Sequence, residues 1–98
     1  MATWAEWTAS SRRVAITTRG GKTWRVSVRA APGADAGATR VTLLHGFPTH
    51  SLDWAKVTDR LVPRVACTTL DFLGFGASDK PVDHDYTLHE QADLVEGV

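Results

Sequence analysis

The sequence has one cysteine in 98 residues, so no internal disulfide framework can brace it. That residue, Cys67, lies in an apolar run and reads as a small buried core residue. Neither charge is in excess: 11 basic and 11 acidic residues leave a formal net charge of zero. This removes the electrostatic case for nucleic acid or an anionic membrane surface as a partner. No apolar run approaches the length of a membrane span. The first ten residues carry Trp4, Glu6 and Trp7 but neither the basic start nor the apolar stretch of a secretory leader. A cytoplasmic location is therefore the default expectation. Internal repeats and low-complexity tracts are missing as well. What remains is ordinary: 43% hydrophobic and 22% charged residues, the balance of a globular domain, in a length that suits one small domain.

The pattern along the chain alternates strand and helix signals. Arg13 to Thr18 is β-branched and alternating, Gly20-Gly21 is a turn signal, and Thr23 to Val28 alternates again with Trp24, Val26 and Val28 on one side. That is a half-exposed antiparallel hairpin. Ala30 to Thr39, small and polar, reads as a loop. Val41 to Leu44 and Val65 to Leu70 are short apolar runs of the kind buried on both faces in a parallel sheet. Between them, Ser51 is placed to cap a helix over Leu52 to Leu61, with Trp54, Val57 and Leu61 on one face. Leu73 to Asp85 is a loop rich in Gly, Ser, Asp and Pro. Thr87-Leu88-His89-Glu90 then spells a capping box, and Leu88, Ala92 and Val95 line one face of the helix it starts. The order β-β-β-α-β-α, with a strand-helix-strand unit, predicts an α/β fold with a parallel pair.

Two loops carry the chemistry. His45-Gly46-Phe47-Pro48 follows one buried strand and precedes a helix. Gly46 permits a turn that other residues resist, which frees the Phe47 amide to point into a site and stabilise a developing oxyanion. Alone, this tetrapeptide is equally consistent with a plain strand-ending turn. The second loop, Asp71-Phe72-Leu73-Gly74-Phe75-Gly76-Ala77-Ser78-Asp79-Lys80-Pro81, follows the next strand. Together with Thr49, Trp54 and the Tyr86-Thr87-Leu88 helix start, the two loops resemble those of the α/β-hydrolase family. The resemblance extends over about residues 12 to 98, and leaves 1–11 as an N-terminal tail. Within the family the chain is similar to the branch of epoxide hydrolases, haloalkane dehalogenases and mesoderm-specific-transcript-like hydrolases, the last above all. Phe47 stands where haloalkane dehalogenases commonly carry a halide-holding Asn or Glu, which argues against that activity.

The resemblance implies a cofactor-free hydrolase of small apolar esters or epoxides, with Gly46 and Phe47 in the oxyanion loop and His45 shaping it. Phe47, with Trp54 either in the helix core or walling a pocket, would touch the small-molecule substrate. Asp71, Gly74, Gly76, Ser78, Asp79 and Pro81 would build the second loop. Asp71 could pass for a catalytic acid, but a carboxylate at a strand end more often accepts loop amides. The family's nucleophile elbow, G-x-[SD]-x-G on a strand-to-helix turn, is not recognised. Gly76-Ala77-Ser78-Asp79-Lys80 has Lys80 in place of the second glycine and follows the wrong strand. Nucleophile, acid and base are thus expected to lie outside this chain, with Ser and Asp nucleophiles both open. His50, His84 and His89 are expected at the surface, and no metal-ligand spacing such as H-E-x-x-H is present, so neither a metal nor a cofactor is anticipated. The expectation is a partial sheet, truncated before the elbow. If the missing strand belongs beside Val41 to Leu44, the edge of that strand is left bare, a template for aggregation or for a partner chain. The alternative function is therefore a non-catalytic scaffold that acts as an interaction or regulatory module.

Overall fold

The computed structural model describes residues 2–35 and 37–98; Met1 of the expected tail and Ala36 of the expected loop lie outside the described residues. The elements run α1 (Trp4–Ala9), β1 (Arg12–Thr17), β2 (Thr23–Ala31), β3 (Thr39–Leu44), a 3-10 turn (Ser51–Trp54), α2 (Ala55–Leu61), β4 (Val65–Leu70) and α3 (Leu88–Gly97). One sheet of order β1-β2-β4-β3 holds the strands. The hairpin pairs Val14 with Val26 and Ile16 with Trp24, β2 pairs antiparallel with β4 through Val28 and Leu70, and β4 pairs parallel with β3 through Leu70 and Leu44. The β3-α2-β4 crossover is the parallel unit, and it places the carboxyl ends of β3 and β4 side by side.

Strand alternation divides the sheet into two faces. Val26, Val28, Leu70 and Ile16 meet Leu94 of α3 and Leu73 of the following loop in the main core, with Val14, Trp24 and Val95 against its margin. Each fully buried Val or Leu here contributes about 1.5–3 kcal/mol relative to exposure. Arg29 points to the other face, where its guanidinium lies over the Trp7 ring of α1 at 4.3 Å. The Trp7 indole donates to the Ser51 hydroxyl at 2.9 Å. The segment read as an N-terminal tail therefore contributes a short helix. Thr3 caps it, accepting from Glu6 N while the Glu6 carboxylate returns to Thr3 N.

Several local expectations need correction. Residues Val41 to Leu44 are not buried on both faces: β3 is one of the two edge strands among the described residues, and Leu44 is 44% exposed. Ser51 does not cap α2: it is the first residue of the 3-10 turn that opens the helix, and its hydroxyl accepts from Trp7 instead. That tighter winding shifts the phase of the residues that follow. Ala55 and Thr58 become the buried face, and Val57 is turned outward. In α3, Thr87 does accept from Glu90 N at 3.1 Å, but only half of the capping box forms. The Glu90 carboxylate accepts from the Trp24 indole at 3.1 Å and pairs with His84 at 2.6 Å instead. His84 is consequently shielded, with a side chain only 12% exposed. Leu94 takes the core position of α3, while Leu88 stands 87% exposed. Among the described residues, no helix is long and apolar enough to cross a membrane.

Candidate active site

The carboxyl ends of adjacent parallel strands are where an open α/β sheet offers a crevice. Here β3 delivers His45-Gly46-Phe47-Pro48 and β4 delivers Asp71 to Pro81 at that edge. Four groups hold the second loop. Asp71, 1% exposed, accepts from Ser51 N at 2.8 Å through one carboxylate oxygen and from Ala77 N at 2.9 Å through the other. Ser78, 3% exposed, donates its hydroxyl proton to Asp71 O and accepts from Ser27 N at 2.8 Å. Asp79 mimics a strand partner: its amide donates to Arg25 O at 2.9 Å, and its carboxylate accepts from Arg25 N at 2.8 Å and pairs with the Arg13 guanidinium. Lys80 Nζ donates to the carbonyls of Gly76 and Ser78.

The glycines in this loop have steric reasons. Gly74 sits at φ +90°, and a Cβ there would come within 2.8 Å of the Tyr86 ring. Gly76 sits at φ +53°, with the Asp71 carboxylate 2.3 Å from where a Cβ would be. Only glycine accepts both the left-handed backbone and the close approach. Tyr86, lodged against Gly74, donates its hydroxyl proton to Pro81 O. Gly46 differs from the expectation: its φ lies outside the left-handed region and a Cβ would meet nothing within 4 Å, so the turn itself does not demand glycine.

His45 joins the two loops. It is 6% exposed. Phe72 N, which can only donate, reaches Nε2 at 3.0 Å, so Nε2 accepts. The ring proton is therefore on Nδ1, which donates to Gly46 O at 2.8 Å. The same carbonyl takes Thr49 N at 3.1 Å and the Thr49 hydroxyl at 2.9 Å. The Phe47 amide enters none of the hydrogen bonds that close this turn among the described residues. Its side chain is 86% exposed and stands edge-on to Phe75, with ring centroids 5.8 Å apart.

Between the loops and the start of α3 lies an open cleft of about 510 Å³. Phe47, Phe72, Phe75, Tyr86 and Leu88 give it an apolar wall, and His45, Gly46 and Gln91 also border it. Trp54 is not part of this wall. It is half-buried on the 3-10 turn, and its indole Nε1 is shielded without an acceptor among the described residues. Of the histidines, His50 lies against the Trp4 ring, centroids 4.4 Å apart and tilted by 35°, and His89 is exposed. Among the described residues, no three His, Cys, Asp or Glu side chains converge as metal ligands.

Two features escape the sequence reading. Gln91, whose carboxamide clasps the backbone of Leu73, borders the cleft from a position that the Leu88-Ala92-Val95 face leaves unremarked. The run Gly33-Ala34-Asp35-Ala36-Gly37 also fits the G-x-D-x-G spacing. It does not form an elbow. It links β2 to β3, not a strand to a helix, and lies at the end of β3 away from His45. Asp35 is exposed and folds back to accept from Gly37 N at 2.9 Å, an Asx turn.

The crevice at the ends of β3 and β4, walled by two strand-end loops and the start of a helix, is a feature of open α/β enzymes. Residues 39–98 match the α/β hydrolase fold family, and the chain belongs to that family. It is 54% identical over 59 residues to the mesoderm-specific transcript protein of Mus musculus, an overlap of 59% of this chain and 18% of that protein. It is 49% identical over 74 residues to LipZ of Mycobacterium tuberculosis, covering 76% of this chain and 24% of LipZ. A thermophilic esterase from Thermogutta terrifontis superposes with a TM-score of 0.75 and 26% identity over 88% of this chain and 30% of the esterase. The chain thus spans about a fifth to a quarter of the length of these curated relatives.

Proposed function

We propose that this chain is the oxyanion-loop portion of a cofactor-free hydrolase acting on small apolar esters or epoxides. One observation carries the reading: Phe47, whose amide is free of the hydrogen bonds that close its own turn, is one of the residues that border an aromatic cleft. A fixed backbone donor of this kind stabilises the negative charge that develops on a substrate oxygen. The mostly aromatic wall suits an apolar group. Ser78 is consumed by loop hydrogen bonds and Asp71 by two amides, so neither is free to attack. The nucleophile, with its acid and base, would come from residues beyond these 98, Ser for esters and Asp for epoxides, through a covalent intermediate. The kinship with LipZ and the fold of the Thermogutta esterase support hydrolysis as the reaction class.

The test is to recover the native polypeptide with an antibody against Asp71 to Pro81, determine its mass, and assay aryl esters and aryl epoxides. Saturable turnover by a polypeptide longer than this chain is the expected result; no turnover across both panels refutes the reading. One observation favours a second reading, a non-catalytic scaffold: β3 has no strand on its outer side among the described residues, and its last residue, Leu44, is exposed. A native mass equal to that of the 98 residues would favour this scaffold, with β3 accepting a partner strand.

A further inference from the structure

The two loops of the crevice are tied to each other by His45, and the second loop is tied to α3 by Gln91. Leu73 N donates to Gln91 Oε1 at 3.1 Å, and Gln91 Nε2 donates to Leu73 O at 3.0 Å. The carboxamide thus completes a two-bond ring with the backbone of one residue, the pattern an antiparallel strand would make. Leu73 itself is fully buried, packed with Leu94 three residues along α3 from Gln91. The preceding amide, Phe72 N, is the one held by His45 Nε2. A continuous series of hydrogen bonds therefore runs from Gly46 O through the His45 ring to Phe72 N, and across the next residue to Gln91 on α3.

We propose that Gln91 is a positioning residue: through Leu73, Phe72 and His45 it sets where the Gly46-Phe47 turn stands relative to α3. The proposal deepens the hydrolase reading and rests on it for the word positioning; the hydrogen-bond series itself does not. The neutral carboxamide offers one donor and one acceptor in the plane that Leu73 requires, which an ionised carboxylate does not. A Glu of equal length keeps an acceptor for Leu73 N but sets a carboxylate oxygen against Leu73 O. A Met of similar length removes both bonds and keeps the apolar packing.

The experiment compares Gln91→Glu and Gln91→Met with the parent in the native-length polypeptide at one neutral pH, using two readouts. Amide hydrogen exchange is followed at Phe72, which reports the His45 bond, at Thr49, which reports the Gly46 turn, and at Val26 and Val28 as core references. Exchange at Phe72 and Thr49 is expected to accelerate about tenfold or more in Gln91→Glu and less in Gln91→Met, with Val26 and Val28 unchanged. Turnover of an aryl ester or epoxide is expected to fall about tenfold or more in kcat with KM nearly constant, because a displaced oxyanion donor is felt in the transition state. Acceleration confined to Leu73 overturns the proposal, as does equal acceleration in the core, which would make Gln91 a general stability residue. A rise in KM with kcat unchanged overturns the positioning role. If the parent turns over nothing, the hydrolase reading fails, and the exchange pattern still decides whether the series connects α3 to the turn.

Discussion

Replacing Asp71 tests the account of the second loop most directly. The carboxylate is 1% exposed and accepts two backbone amides, Ser51 N at 2.8 Å and Ala77 N at 2.9 Å. Asp71→Ala leaves both amides buried without an acceptor. Each orphaned donor costs about 1–3 kcal/mol, so the loss is about 2–6 kcal/mol. That is a large share of the roughly 5–15 kcal/mol available to a domain. Asp71→Asn is isosteric and keeps one carbonyl oxygen, but its amide group must face the other donor. It can satisfy Ser51 N or Ala77 N, not both, so its loss is about half as large. Urea denaturation of parent and both variants, with the midpoint compared at constant m-value, measures the order parent, Asn, Ala. Equal losses for Asn and Ala would show that geometry other than the two acceptor bonds decides stability. A change within about 0.5 kcal/mol for either variant, the level of an unremarkable surface substitution, would refute the loop-anchoring role altogether.

Other expectations follow from the same geometry. Ser78→Ala removes the acceptor of Ser27 N and is expected to destabilise by about 1–3 kcal/mol, read as a lowered denaturation midpoint, while ester turnover of the native polypeptide persists. Abolished turnover in a folded Ser78→Ala protein would make Ser78 the nucleophile and overturn the loop assignment. Gly74→Ala combines a left-handed backbone at φ +90° with a clash against Tyr86, and is expected to cost about 1–3 kcal/mol or more and to shift the Tyr86 resonances. Unchanged stability and an unmoved Tyr86 would contradict it. The Thr3 amide, and then the Thr3 hydroxyl, hold the Glu6 carboxyl below its usual range. A depressed folded-state value means that the stability this group contributes is present above the ordinary carboxylate range and lost as pH falls through the lowered value. Exchange of Trp7 N, which is bonded to Thr3 O, should therefore accelerate relative to its intrinsic rate on acidification, and less so in Glu6→Gln, which has no carboxyl to titrate. Identical pH profiles for the two proteins would remove Glu6 as the cause.

Local chemistry made part of this protein legible in one dimension. Alternation and Gly20-Gly21 specify the hairpin, because a pleated strand shows each face to a single environment every second residue. The two loop motifs, set at a strand-helix-strand spacing, carry the family resemblance in short stretches of sequence. The capping hydroxyl of Thr87 was readable because a cap is satisfied within four residues. Decisions that depend on partners distant in sequence were not. Ser51 looks like a cap until Trp7, 44 residues away, takes its hydroxyl. Glu90 looks like half of a capping box until Trp24 and His84 claim its carboxylate. The apolar pattern of α3 names Leu88, yet Leu94 is buried, because the face that packs is chosen by the sheet and by Leu73 and not by the helix's own periodicity. Val41 to Leu44 reads as an interior strand from composition, whereas its position at the sheet edge is a matter of strand order. The sequence by itself determined which segments are strands, which are loops and to which family they belong, since these follow from periodicity and from short-range motifs. Only the tertiary structure decided that His45 and Gln91 bind consecutive residues of one loop, because their bonds span 27 and 18 residues and exist only once β3, β4 and α3 are packed together.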